Sequence, residues 1–229
     1  MSQHEALWEA VWGARYDYRT LKATAVQQAL ADIVLPGEAP VIVDYGCGAF
    51  PVSLQFEGAP KQTIFRAFVD IAAEDGYFPP NHEFFPASAR TSSTSVLIRG
   101  DIDAMAASVP AGRTACRSLR AFLAGHNSAG KPEADMAIMS DILNYVDHNR
   151  ALRFATKYLK TGGILFIVNE ATRGFGEVFS PRGIRNDAAL PALLQNQLGY
   201  EVCAETTGAS TFSSHAGVTI ISAVKTATK

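Results

Sequence analysis

Val41-Ile42-Val43-Asp44-Tyr45-Gly46-Cys47-Gly48 is the stretch on which the fold turns. Three apolar β-branched residues in a row read as a buried strand. The strand runs straight into an acid and then two glycines one residue apart. Glycines there let the backbone turn sharply and come close to a ligand. A dinucleotide fingerprint would place a third glycine at position 51. That residue is Pro51. Asp44 precedes the glycines, where its charge would repel a diphosphate and would suit a ligand with an amine or other cationic end. A plain strand–turn–helix corner is the alternative reading.

Outward from this corner, short strands alternate with helices. Strands are expected at 64–69, 95–99, 134–139, 164–168, 200–204 and 218–224. Ala115, Leu119, Phe122 and Leu123 mark a helix that Gly125 could end. Asp147 or His148 could cap a second, carrying Leu152, Ala155, Tyr158 and Leu159 and closed by Gly162-Gly163. Leu190, Leu193, Leu194 and Leu198 form a third, ended by Gly199. Ahead of the corner, residues 5–35 read as helical with a break near Arg19 and Thr20. Trp8, Val11, Trp12 and Tyr16 share one face, and Val26, Leu30, Ile33 and Val34 another. Alternating strands and helices imply an α/β fold with a mostly parallel sheet covered on both faces. Ligands of such sheets bind at the carboxyl ends of the strands.

The composition agrees with one large domain. The chain has 229 residues, 48% hydrophobic and 18% charged, with a net charge of −2. That profile opposes wholesale disorder. It also lacks the basic excess of a strongly electrostatic nucleic-acid binder. No apolar run reaches membrane-spanning length, and the first residues lack the pattern of a secretory signal. Cys47, Cys116 and Cys203 are widely spaced with no CxxC pair, so neither a zinc site nor a redox pair is expected. Three reduced thiols suit a cytoplasmic protein.

Four further stretches carry chemistry. Asp70 closes the second strand, 26 residues after Asp44, where a carboxylate can accept both hydroxyls of a ribose or cap a helix. Gly100-Asp101-Ile102 follows the third strand; an acid and an apolar residue there can meet an adenine, or form a simple turn. Ser140 and Asp141 end the fourth strand before an apolar turn through Val146. Leu159-Lys160-Thr161-Gly162-Gly163 ends a helix and feeds the next strand.

In this order and at these distances the stretches resemble those of the class I S-adenosylmethionine-dependent methyltransferases, over roughly residues 38–229. The resemblance implies a Rossmann-like seven-stranded sheet with an antiparallel last strand. It implies S-adenosyl-L-methionine as cofactor and S-adenosyl-L-homocysteine as product. The implied cofactor residues are Asp44, Tyr45, Gly46, Cys47, Gly48, Asp70, Ile71, Asp101, Ile102, Ser140 and Asp141. The implied division is an N-terminal helical cap, 1–37, and a methyltransferase domain, 38–229. Where the family commonly has a third glycine, this chain has Phe50. Gly48-Ala49-Phe50-Pro51 resembles a variant seen in aminoglycoside-resistance ribosomal RNA methyltransferases, sharing only the glycine and the proline. An aromatic stretch, Tyr77-Phe78-Pro79-Pro80 and Phe84-Phe85-Pro86, stands where the family usually has a helix. No N/D-P-P-Y/F motif follows the fourth strand, which argues against the nucleic-acid amino methyltransferases that use it.

The expected function is methyl transfer to a small-molecule acceptor. Ribosomal or other RNA methylation is the first alternative, and a non-catalytic methyltransferase-like binding protein the second. A nicotinamide enzyme is disfavoured by Pro51 and Asp44. Tyr16 and Glu170 are the candidates for proton handling or acceptor orientation. The helix face of Arg113, Arg117 and Arg120 reads as a solvated surface, with phosphate contact as the alternative. Arg173, Arg182 and Arg185 could face an anionic acceptor. No metal is expected, and a homodimer is compatible with the reading.

Overall fold

The computed structural model describes residues 25–48, 51–71, 85–172, 180–208 and 215–227. Seven strands form one sheet: β1 (Val41–Tyr45), β2 (Phe65–Asp70), β3 (Ser95–Arg99), β4 (Ala134–Ser140), β5 (Leu159–Thr172), β6 (Tyr200–Gly208) and β7 (His215–Lys225). Their order is β3-β2-β1-β4-β5-β7-β6. The pairs from β3 through β5 are parallel, and β7 runs antiparallel to both β5 and β6. The helices are α1 (25–31), α2 (Ala87–Arg90), α3 (Ile102–Ala106), α4 (Pro110–His126), α5 (His148–Tyr158) and α6 (Leu190–Leu198).

The continuous apolar run of β1 follows from burial on both sides, as parallel central strands require. Successive side chains point to opposite faces. Val41, Val43 and Tyr45 enter the larger core beneath α3 to α6, with Leu119, Leu152, Phe154 and Leu194. Ile42 enters the second core beneath α1, with Val26, Leu30, Val52 and Phe56. The two amino-terminal strand ends are pinned by Asp135, whose Oδ2 accepts from the Val41 N–H at 2.8 Å and whose Oδ1 pairs with Lys160.

Several helix boundaries follow the local chemistry. Asp147 caps α5, its Oδ1 accepting from the Arg150 N–H at 3.1 Å. Gly199 ends α6 in the left-handed region at φ 69°. Three expectations are corrected. Val34 does not share the buried face of α1: the helix ends at 31, Leu35 takes the buried place, and Val34 is 77% exposed. Gly125 does not end α4, which continues to His126, whose ring stacks on Phe65 at 4.1 Å. Gly162-Gly163 lies within the span of β5, because α5 already ends at Tyr158. There the Lys225 ammonium donates to the carbonyls of Thr156 and Leu159, a C-terminal cap supplied from β7.

The aromatic face Trp8 to Tyr16, the break near Arg19 and most of the aromatic stretch before Phe85 lie outside the described residues. Phe85 itself is fully buried, edge-on to Phe68 at 4.7 Å.

Candidate functional site

Strand register builds the site. Tyr45 lies opposite Val69 on β2 and Met139 on β4. Asp70 lies opposite Arg99 on β3, and Ser140 opposite Val168 on β5. One step beyond Tyr45, therefore, Gly46, Asp70 and Ser140 stand at one level along the carboxyl edge. The sheet order reverses between β1 and β4, the switch point at which open α/β sheets open a crevice.

Both glycines of the corner are left-handed, Gly46 at φ 66° and Gly48 at φ 54°. The Gly46 N–H donates to the Val69 carbonyl at 2.7 Å, which holds the turn against β2. A Cβ on Gly46 would come within 2.2 Å of Ile142 Cδ1, so the segment after β4 packs directly on this backbone. Gly48 is different. Among the described residues a Cβ there would meet nothing within 4 Å, and its N–H donates to Asp70 Oδ2 at 2.8 Å. The second glycine thus has no described residue above its α-carbon, while its amide ties the loop to the strand-end carboxylate. Asp70 is 8% exposed, and Ile71 beside it is 64% exposed, an uncovered apolar side chain at the same edge.

Asp44 is buried beneath the loop rather than displayed in it. It has no exposed surface. Its Oδ2 accepts from the Ser53 N–H at 2.8 Å, and its Oδ1 has no hydrogen-bond partner. Burial pushes its carboxyl up to about 7, against the pull of the Ser53 N–H, with Asp70 adding to the rise and Arg66 opposing it. Arg66 is held by the carbonyls of Ser53 and Phe56 at 3.0 and 3.1 Å.

The remaining expected residues separate by face. The Tyr45 side chain points away from Asp44 into the large core, edge-on to Phe154 with ring centres 6.0 Å apart, so only its backbone reaches the strand end. Cys47 is buried with Phe68 and Phe85, and burial raises its thiol pKa well above the ordinary range. Asp101 caps α3, its Oδ1 accepting from the Asp103 N–H at 2.8 Å and the Ala104 N–H at 3.4 Å. Ile102 is 3% exposed and packs in the core. Ser140 and Asp141 are half-buried at the end of β4. Asp141 sits at φ 52°, a conformation uncommon outside glycine, with its N–H on the Val168 carbonyl at 2.8 Å. The backbone of Glu170, in β5, pairs with Val218 of β7, and Tyr16 lies outside the described residues.

A buried polar group escaped the sequence reading. Asn169, in the carboxyl-terminal half of β5, donates from Nδ2 to Asp187 Oδ1 at 2.6 Å and to Asn144 Oδ1 at 3.3 Å. Its own Oδ1 has no partner. Backbone bonds from Ser180 to Asn144 and from Ile184 to Leu143 lay the following segment over the turn after β4. Arg182 and Arg185 serve that segment internally: Arg182 pairs with Asp147 at 3.3 Å, and Arg185 donates to the Ser180 carbonyl at 3.0 Å. His148 joins it too, its Nδ1 lying 2.5 Å from the Arg182 carbonyl. The only local signal was an asparagine directly after an apolar strand run; no spacing links it to residues 144 and 187. Among the described residues no His, Cys, Asp and Glu group could hold a metal ion.

No protein-family model matches the chain, and no curated protein matches its sequence. Solved structures do match. The 1,6-didemethyltoxoflavin-N1-methyltransferase of Burkholderia thailandensis, with bound S-adenosylhomocysteine, is 13% identical with a TM-score of 0.58, over 95% of this chain and 81% of that one. The N-methyltransferase NodS of Bradyrhizobium japonicum WM9 is 12% identical with a TM-score of 0.54, over 93% of this chain and 98% of that one. The (4+2)-cyclase SpnF is 16% identical with a TM-score of 0.57, over 89% and 81%. Strand order, antiparallel last strand and these likenesses agree: the chain has the fold of the class I S-adenosylmethionine-dependent methyltransferases.

Proposed function

We propose that the chain is an S-adenosylmethionine-dependent methyltransferase acting on a small-molecule acceptor. The observation that carries the reading is the Gly48–Asp70 pair. A left-handed glycine has no described residue above its α-carbon, and its amide is fixed to a carboxylate beside an exposed apolar Ile71. These groups fit the cofactor of the fold. The Gly46–Gly48 backbone would cradle its amino-acid end, Asp70 its ribose hydroxyls and Ile71 one face of its base. Asp101, Ser140 and Asp141 complete the rim. The cofactor when bound supplies a methyl group already activated on a sulfonium.

The protein then has to position the acceptor and exclude water, which can supply much of the rate. The Asn169–Asp187–Asn144 group fixes the segment over the β4 and β5 ends, the side from which an acceptor would approach. The N-terminal helices belong to the proposal as a cap closing the same mouth, with Tyr16 and Glu170 as candidates to handle a proton where the acceptor must lose one. No described helix is long and apolar enough to cross a membrane. A cytoplasmic setting is proposed from the three free cysteines.

A second reading, a cofactor-binding protein of this fold that transfers no methyl group, has a specific support. One neighbour with this fold is named a cyclase, so the fold does not by itself assign methyl transfer. Purified protein added to a metabolite extract with isotope-labelled S-adenosylmethionine separates the two. A labelled product seen by mass spectrometry supports the transferase. Cofactor binding with no labelled product in any extract supports the second reading.

A further inference from the structure

The outer faces of α4 and α5 place six cations side by side. On α4 these are Arg113, Arg117 and Arg120, and on α5 Arg150, Arg153 and Lys157, all exposed. Each set follows the three- and four-residue spacing of one helix face. Neither helix contains an aspartate or glutamate. The sequence analysis marked only the α4 ladder; the fold sets the α5 ladder beside it. Lys157 and Arg120 both act on Cys116 of α4, and Arg120 also acts on Tyr158 of α5. Both helices connect parallel strands, so both ladders start near the carboxyl edge of the sheet and descend together. Over seven residues each ladder extends about 10 Å.

Among the described residues little neutralises this charge. Asp147 pairs with Arg150 at 3.9 Å and with Arg182 at 3.3 Å, at the upper rim. Asp103 accepts from the Asp147 N–H at 3.0 Å. Arg113, Arg117, Arg120, Arg153 and Lys157 form no ion pair among the described residues. Arg150, Arg153 and Lys157 also line a surface cleft of about 440 Å³, in which Asp147 is the one acid beside Ala106, Ser108, Asn149 and Phe154. In a chain of net charge −2, this concentration is a local asymmetry rather than a general basic character.

We propose that the joined α4–α5 face is a binding surface for the phosphodiester backbone of a nucleic acid. Five of the six cations are arginines, whose planar fork matches phosphate oxygens. Apart from Pro110 and Gly125, the other exposed residues of α4 and α5 are Ala111, Thr114, Ser118, Ala121 and Asn149, all small or polar. A protein partner needs apolar or aromatic anchors at the centre of its interface. Val109, at the edge, is the one large apolar residue near this face among the exposed ones described. A single small anion would use two or three of these groups; a chain of phosphates uses both ladders. The surface is independent of the identity of the acceptor, and it lies beside the cofactor edge rather than in it.

Fluorescence anisotropy of the full chain tests it, with labelled 20-nucleotide RNA, the same DNA sequence, and poly-glutamate as competitor. Five backbone contacts predict a slope of log K against log salt near −3.5 for a single strand, or about a hundredfold loss of affinity between 50 and 200 mM salt. The variant R117A/R153A/K157A is expected to make that slope shallower by about two. Its melting temperature and its S-adenosylhomocysteine affinity, measured by calorimetry, should match the parent. Tighter binding of RNA or of DNA names the polymer. The proposal is overturned by absence of binding at 50 mM salt, by an unchanged slope in the triple variant, or by poly-glutamate competing as well as nucleic acid. A failure of cofactor binding in the parent would instead strike the proposed function and leave this surface untouched.

Discussion

Replacing Asp44 by Asn should stabilise the protein at high pH and change little at low pH. Asp44 is fully buried, with one oxygen bonded to the Ser53 amide and the other unpartnered, and its carboxyl is raised from 3.8 to about 7. For an acid raised on folding, the folded state holds its proton where the unfolded state has lost it. The stability this contributes is complete below the unfolded value near pH 4 and is lost as pH rises to about 7. A tenfold change in proton affinity corresponds to about 1.4 kcal/mol, so the rise to about 7 sets an upper bound of about 4 kcal/mol. Asn keeps the shape, keeps an acceptor for Ser53 and carries no charge at either end of the range. Thermal unfolding at pH 5 and pH 8 reads the difference. In a chain of this size about 4 kcal/mol would raise Tm by roughly 8–16 °C. A gain at pH 8 clearly larger than at pH 5 is expected. An equal change at both pH values, or a loss confined to pH 8, would refute the buried-charge argument.

Three further outcomes follow from the geometry. Gly48→Ala puts a Cβ where no described residue stands, at φ 54°, so it should cost about 1 kcal/mol of stability but abolish calorimetric cofactor binding. Gly46→Ala should destabilise more, because its Cβ would meet Ile142 Cδ1 at 2.2 Å, and shortening that neighbour with Ile142→Ala should recover part of the loss in denaturant unfolding. Asp147→Ala removes the α5 cap and should cost about 1 kcal/mol in the same assay without changing cofactor affinity.

The sheet was legible because its strands obey local rules. β3 matches its expected bounds, and β1 reads as apolar because both its faces are covered. The errors fall where a distant partner overrides the local pattern. Lys225 caps α5 from β7, 66 residues beyond Leu159, and no pattern near Gly162 reports that. Val34 fits a helical stripe, but the helix stops before it and Leu35 fills the core instead. At the site, the glycine corner and Asp70 were readable from strand ends alone, whereas their mutual bond depends on register. Asp101 read as an adenine contact or a simple turn, and the structure adds a helix cap that neither reading held, made by its bonds to Asp103 and Ala104. The asparagine group joins three separate stretches and leaves no periodic trace.

Everything proposed for the site depends on the Gly48–Asp70 edge holding the cofactor. Asp70 Oδ2 accepts from Gly48 at 2.8 Å, and a hydrogen bond to a charged group contributes about 1.5–3 kcal/mol. Isothermal titration of the parent and of Asp70→Ala with S-adenosylhomocysteine measures it, with NAD as control and thermal unfolding to verify the fold. The account predicts binding by the parent, at least about tenfold weaker binding by a folded Asp70→Ala, and no heat with NAD. No binding by the parent at millimolar cofactor, or equal affinity in the folded variant, would contradict it.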